Sequence, residues 1–139
     1  MRKTFLFLGV GLAAGIVVGV LGTTYVAAQG AAQVTRTELL RKPVSGIDGK
    51  EFVVFVADLP PGAVAGRHSH PGDEASYALQ GAVVQEPDGG QPVGLKVGQA
   101  GFTPAGQTHN VKNASSSEPA KLLNCILVAK GQPLATRVP

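Results

Sequence analysis

The chain has 139 residues, a formal net charge of +3, one cysteine and three histidines. This length supports one domain with one core, and a single cysteine excludes an internal disulfide and argues against a thiolate metal site. Removing Arg2 and Lys3 from the 12 basic residues leaves 10 against 9 acidic ones; no basic cluster remains, so nucleic acid is not an expected partner.

Arg2 and Lys3 precede an uncharged run over 4–33, rich in Leu, Val, Gly and Ala. Within it, Val26-Ala27-Ala28 has the small-residue character of a cleavage site. A basic start, an apolar middle and such a site predict a secretory signal peptide over 1–28, followed by a domain over 29–139. The apolar stretch 5–22 is 18 residues long, just enough to span a bilayer, so an uncleaved membrane anchor is the rival reading. Membrane contact would then be confined to this segment. On either reading the folded part is expected to be periplasmic or secreted.

From residue 34 onward the pattern is one of strands broken by turns, with no convincing amphipathic helix. Residues 34–40 are expected to form the first strand, and 43–50 a connection carrying a Ser-Gly-Ile-Asp-Gly turn. Phe52-Val53-Val54-Phe55-Val56 makes 51–59 the clearest strand. Its continuous apolar character predicts burial on both faces. One face would lie inside a barrel and the other against a second sheet or a partner subunit, which leaves a homodimer open. Pro60-Pro61-Gly62 ends this strand. Further strands are expected over 75–80, 82–85, 92–97, 101–103, 109–112 and 119–129, with a hairpin turn at Pro87-Asp88-Gly89-Gly90. Residues 113–117 read as a polar loop. Cys125 lies in the apolar run 122–128 and is expected to be a small core hydrophobe.

All three histidines fall in two short segments. In the first, five residues separate Gly62 from His68-Ser69-His70, three more lead to Glu74, and six more to Gly81. In the second, five residues separate Gly98 from Pro104-Ala105-Gly106, two more lead to His109, and three more to Asn113. His68 and His70 are two apart, so on a strand their rings share a face. Pro71-Gly72-Asp73 reads as a turn that returns Glu74 beside them. Three imidazoles and a carboxylate suit a divalent transition metal and leave about two positions of an octahedral ion for a ligand.

These two segments, GAVAGRHSHPGDEASYALQG over 62–81 and GQAGFTPAGQTHNVKN over 98–113, resemble the paired motifs of the cupins. The resemblance covers roughly residues 50–129, and the short spacer over 82–97 is similar to that of compact single-domain bacterial members. It implies an all-β fold, a small antiparallel jelly-roll barrel with a metal inside. It also implies His68, His70, Glu74 and His109 as the ligands. The ion so implied is a divalent transition metal, with iron, manganese, nickel, cobalt, copper and zinc all open.

Neighbouring positions are candidate pocket residues. Ser76 and Ala78 share the Glu74 face on a regular strand and are small where similar proteins often carry larger apolar side chains. Either the cavity is roomy or another strand fills it. Phe102 and Gln107 are placed to line a mouth, or else to pack and to face solvent respectively. Asn124 interrupts an apolar strand and needs a hydrogen-bond partner if buried, whether as a pocket residue or a structural one.

The resemblance makes a metal-dependent enzyme acting on a small organic molecule the leading expectation, with oxygenase-like oxidoreductase chemistry ahead of isomerase or lyase chemistry. Glu74 is the candidate for a double role as ligand and proton acceptor. A non-catalytic module that binds a metal, or a ligand through it, is the alternative.

Overall fold

A computed structural model of the chain describes residues 33–139; the expected signal peptide lies outside the described residues. The strands are β1 (Thr35–Pro43), β2 (Lys50–Leu59), β3 (His68–Ser69), β4 (Asp73–Gln80), β5 (Ala82–Pro87), β6 (Val93–Lys96), β7 (Ala100–Thr103), β8 (His109–Asn113), β9 (Ala120–Ala129) and β10 (Thr136–Arg137). Two antiparallel sheets result, in the orders β1-β2-β9-β4-β7 and β10-β3-β8-β5-β6. This all-β arrangement of facing sheets is a jelly roll.

Alternation along the strands decides what faces inward. On β2, Val53, Phe55, Ala57 and Leu59 are buried while Phe52 is 41% exposed and Val54 and Val56 are half-buried. The expected burial on both faces therefore holds for one face; among the described residues no element covers the other. β9 behaves in the same way. Leu122, Asn124, Ile126 and Val128 point inward, and Leu123, Cys125 and Leu127 outward. Cys125 is thus half-buried on the outer face rather than a core residue, because strand period 2 puts it opposite in direction to its buried neighbours Asn124 and Ile126.

The core consists of two apolar clusters. Leu59, Ala78, Val83, Leu95, Val111 and Leu122 belong to the larger, and Val53, Phe55, Ile126 and Val128 form the smaller, with Leu134 packed against it. Ala78 lies opposite Leu122 in the β4–β9 register, so its missing volume is occupied by core side chains. Ser76 lies opposite Asn124, and Gln85 reaches across from the other sheet to donate to Ser76 Oγ at 3.2 Å. A Cβ on Gly101 would sit 2.7 Å from Gln85 Oε1 and 2.8 Å from Leu95 Cδ1. The space left by the small β4 residues is therefore filled by Gln85 and Leu95 of the second sheet, and the roomy alternative does not hold.

The C-terminal segment had no sequence assignment. It forms β10, which pairs with β3 through Thr136 opposite Ser69 and Arg137 opposite His68. The Val138 N–H donates to the Arg67 carbonyl at 3.0 Å, and Arg67 in turn holds Asp88 and the carbonyl of Pro139.

Candidate metal centre

β3, β4 and β8 deliver His68, Glu74 and His109 from two sheets, and His70 directly follows β3. His68 and His109 are opposed in the β3–β8 register. Between His70 and Glu74, Gly72 is buried against β9; a Cβ there would overlap the Leu127 carbonyl oxygen. Glycine is therefore needed at this position for close approach. Gly106 has φ +77 and the Gln107 N–H donates to Pro104 at 3.1 Å, a tight turn that aims β8 inward. The turn is tied to the first motif by the Gly106 N–H, which donates to the His70 carbonyl at 2.9 Å, and by the Ala105 N–H, which donates to Asp73 at 2.9 Å.

The three rings and Glu74 are buried, each no more than 4% exposed. Ring centroids are 4.4 to 5.2 Å apart. One ring nitrogen from each histidine can be chosen so that all lie within 4.8 Å of one another. Glu74 Oε2 is 3.2 Å from His70 Nε2 and 4.0 Å from His109 Nε2. All four motif residues thus face one small volume.

The hydrogen bonds set the direction of each ring. His68 Nδ1 faces the Gly66 carbonyl at 2.8 Å, His70 Nδ1 the Leu134 carbonyl at 2.6 Å, and His109 Nδ1 the Gln107 carbonyl at 3.3 Å. A carbonyl only accepts, so each Nδ1 carries the proton and the neutral ring turns the lone pair of Nε2 inward. His70 Nε2 and His109 Nε2 are buried with no hydrogen-bond partner. His70 Nε2 lies near Glu74 but without hydrogen-bond alignment. Two buried lone pairs and a buried carboxylate converging without a donor are costly unless a cation joins them. The residues present therefore fit a divalent metal of the nitrogen- and oxygen-binding kind.

Titration agrees with this for two of the three rings. Burial lowers the His68 pKa to about 4 and also lowers that of His109, keeping both rings neutral. Burial also pulls His70 down, but the contact and charge of Glu74 outweigh it and hold His70 above its usual value.

Around these groups lies a cavity of about 20 Å³, lined also by Arg36, Phe55, Leu122 and Asn124. Asn124 is 3% exposed and its Nδ2 donates to Leu122 O at 3.4 Å, so it is both a pocket residue and locally bonded. Ser76 and Ala78 do not line this cavity. Phe102 and Gln107 line a separate space of about 60 Å³ that reaches His109 from the β5–β7 side. Phe102 is 64% exposed and so does not pack in the core. Sequence reading missed Arg36, the Leu134 carbonyl and Arg137, since none belongs to either motif and a backbone carbonyl has no sequence signature.

Residues 55–126 match the family described as Cupin domain, more than half of the chain. The chain belongs to the cupins. Among similar proteins is the β-alanine degradation protein BauB of Pseudomonas aeruginosa, 37% identical over 78 residues, covering 55% of this chain and 82% of the relative. An oxalate-binding protein of Thermotoga maritima is 38% identical over 61 residues, 43% of this cupin and 50% of that relative, so the match spans about half of the latter's length. A double-stranded β-helix protein of Klebsiella pneumoniae shares the fold with TM-score 0.60 at 22% identity, covering 76% of this cupin and 86% of that chain. The lyase DddQ of Ruegeria pomeroyi does so with TM-score 0.61 at 20% identity, covering 76% and 51% respectively.

Proposed function

We propose that this cupin is an exported, metal-dependent enzyme acting on a small organic molecule, with oxygenase-like oxidoreductase chemistry the leading class. The observation that carries the reading is the pair of orphaned Nε2 atoms of His70 and His109 facing Glu74. With His68 they form the ligand set of the proposal. A divalent ion there supplies Lewis acidity and, where redox-active, electron transfer to or from dioxygen. Glu74 both ligates and accepts a substrate proton. Phe55 and Leu122 restrict water around the reacting atoms, and Asn124 orients a bound oxygen.

Metal analysis of protein purified from its native compartment tests the first half: near one redox-active ion per chain is expected. A screen of phenols, enols and small acids tests the second half through turnover that is lost on metal removal and restored on reloading. Turnover without oxygen consumption would favour isomerase or lyase chemistry.

The second reading, a non-catalytic binding module, is favoured by the small volume of the cavity and by similarity to an oxalate-binding protein. Tight ligand binding with no metal-dependent turnover would establish it.

Export rests on the N-terminal pattern, and N-terminal sequencing should find a mature protein starting near Gln29. An intact leader on membrane-bound protein would replace cleavage with anchoring. A homodimer is supported by the outer face of the β1-β2-β9-β4-β7 sheet. There Phe52, Tyr77, Leu79, Phe102 and Leu127 are 36 to 64% exposed, and Leu40, Val54, Cys125, Ala75 and Phe102 line up in register. A second copy packing there would be separated by Phe52→Glu with Leu127→Glu, read as sedimentation at the monomer mass.

A further inference from the structure

Arg36 joins the metal cavity to the outside. It stands on β1 opposite the inward-facing Ala57. Its side chain lines both the metal cavity and an adjoining vestibule of about 280 Å³. The vestibule has a second charged residue, Arg137 of β10, and no carboxylate among the described residues; Val34, Val64 and Ala65 supply apolar wall. Arg41 is engaged by Glu38 and Glu51, and Arg67 by Asp88. Arg36 and Arg137 have no such partner among the described residues. Burial lowers the Arg36 pKa, the Glu74 charge opposes this, and Arg137 adds to it. The two guanidiniums thus repel each other across a mouth that contains no anionic side chain among the described residues.

The two spaces also differ in what they admit. The inner cavity holds about one water-sized group, so the body of any ligand lies in the vestibule. The orphaned ring nitrogens and Glu74 select for a cation, whereas the vestibule selects for an anion. A ligand that satisfies both ends has an oxygen donor at its inner end and a negative charge at its outer end.

We infer that the ligand of this site is a small organic carboxylate, whose carboxylate is held by Arg36 at the mouth while Arg137 attracts it electrostatically. A planar carboxylate matches the guanidinium fork in two parallel hydrogen bonds. The inference rests on the metal reading above for the inner end and on the chain's own arginines for the outer.

The test measures binding by titration calorimetry on the full chain, both cobalt-loaded and metal-free. The probes are glycolate and malonate, their neutral amides glycolamide and malonamide, and inorganic phosphate. The wild type should prefer each acid over its amide. Arg36→Gln should weaken acid binding about tenfold or more, the loss of a charged hydrogen bond, with cobalt content unchanged. Arg36→Lys should fall between the two, and Arg137→Gln should lose about two- to threefold, a loss that fades at high salt. Acid and amide binding equally, or Arg36→Gln binding malonate like the wild type, would overturn the inference while leaving the metal reading intact. Phosphate binding as tightly as malonate through Arg36 would replace the organic carboxylate with an inorganic anion. If the wild type takes up no cobalt, the metal reading fails. Preference for acid over amide that depends on Arg36 in the metal-free protein would then still support the outer half on its own, and its absence would overturn that half too.

Discussion

The two ends of β8 carry buried polar residues that are treated in opposite ways. At its end, Asn113 is 8% exposed and saturated. Its Nδ2 donates to the carbonyls of Leu59, Pro60 and Glu118 at 3.0, 2.9 and 2.8 Å, and its Oδ1 accepts from the Ser115 N–H at 2.9 Å. At its start, His109 is 2% exposed; its Nδ1 is anchored to Gln107 and its Nε2 left without a partner. A saturated buried group holds loops together. A group anchored on one side and orphaned on the other is arranged as a ligand would require, because its desolvation is offset only when something else arrives.

The sharpest break of the comparison is His70→Ala. Stoichiometric metal binding should be lost entirely while circular dichroism stays that of the folded sheet, since the fold rests on apolar strands such as β2 and β9. Unfolding of this variant would mean that the metal is structural; full metal retention would remove His70 from the ligand set. Asn113→Ala should do the reverse. Leaving three carbonyls short of a donor should cost about 2–4 kcal/mol in chemical denaturation, with metal content per folded molecule unchanged.

Deleting residues 133–139 removes the anchor of His70 together with the pairing of β10 on β3. Without the Leu134 carbonyl, His70 loses the hydrogen bond that orients it, and metal affinity should fall roughly 10- to 100-fold rather than vanish. Competition with a chelator measures this. An unchanged affinity would make the tail a cover rather than a support. Ser76→Ala should have the smallest effect, about 1 kcal/mol of stability for the hydrogen bond from Gln85, with no change in metal affinity because Ser76 lies outside the cavity. A change in affinity would tie the Gln85–Ser76 bridge to the metal end of β4.

Much of this was legible in the chain itself. Period 2 explains why one sequence spacing, His68 to His70, can place two rings on one side. Turn chemistry at Pro71-Gly72-Asp73 and Pro104-Ala105-Gly106 explains why Glu74 and His109 return toward them. Such signals are local: they depend on residues a few positions apart, and so survive in a one-dimensional reading. Strand β2 marks where local reading stops. Its apolar run promised two buried faces, but which face is covered depends on what the rest of the molecule brings against it.

The sequence by itself determined the all-β class, the order of most strands and turns before β10 and the set of four side chains able to meet, because backbone periodicity and glycine or proline conformations act within a few residues. Tertiary structure alone decided the rest. It filled the space beside Ser76 and Ala78 with Gln85 and Leu95, turned Cys125 outward, and brought the Leu134 carbonyl 64 residues along the chain to His70 Nδ1. It also placed Arg36 and Arg137 at one mouth from opposite ends of the described chain. The physical reason is that packing, desolvation and charge depend on distances in space, and strand pairing such as β10 on β3 sets those distances independently of separation in sequence.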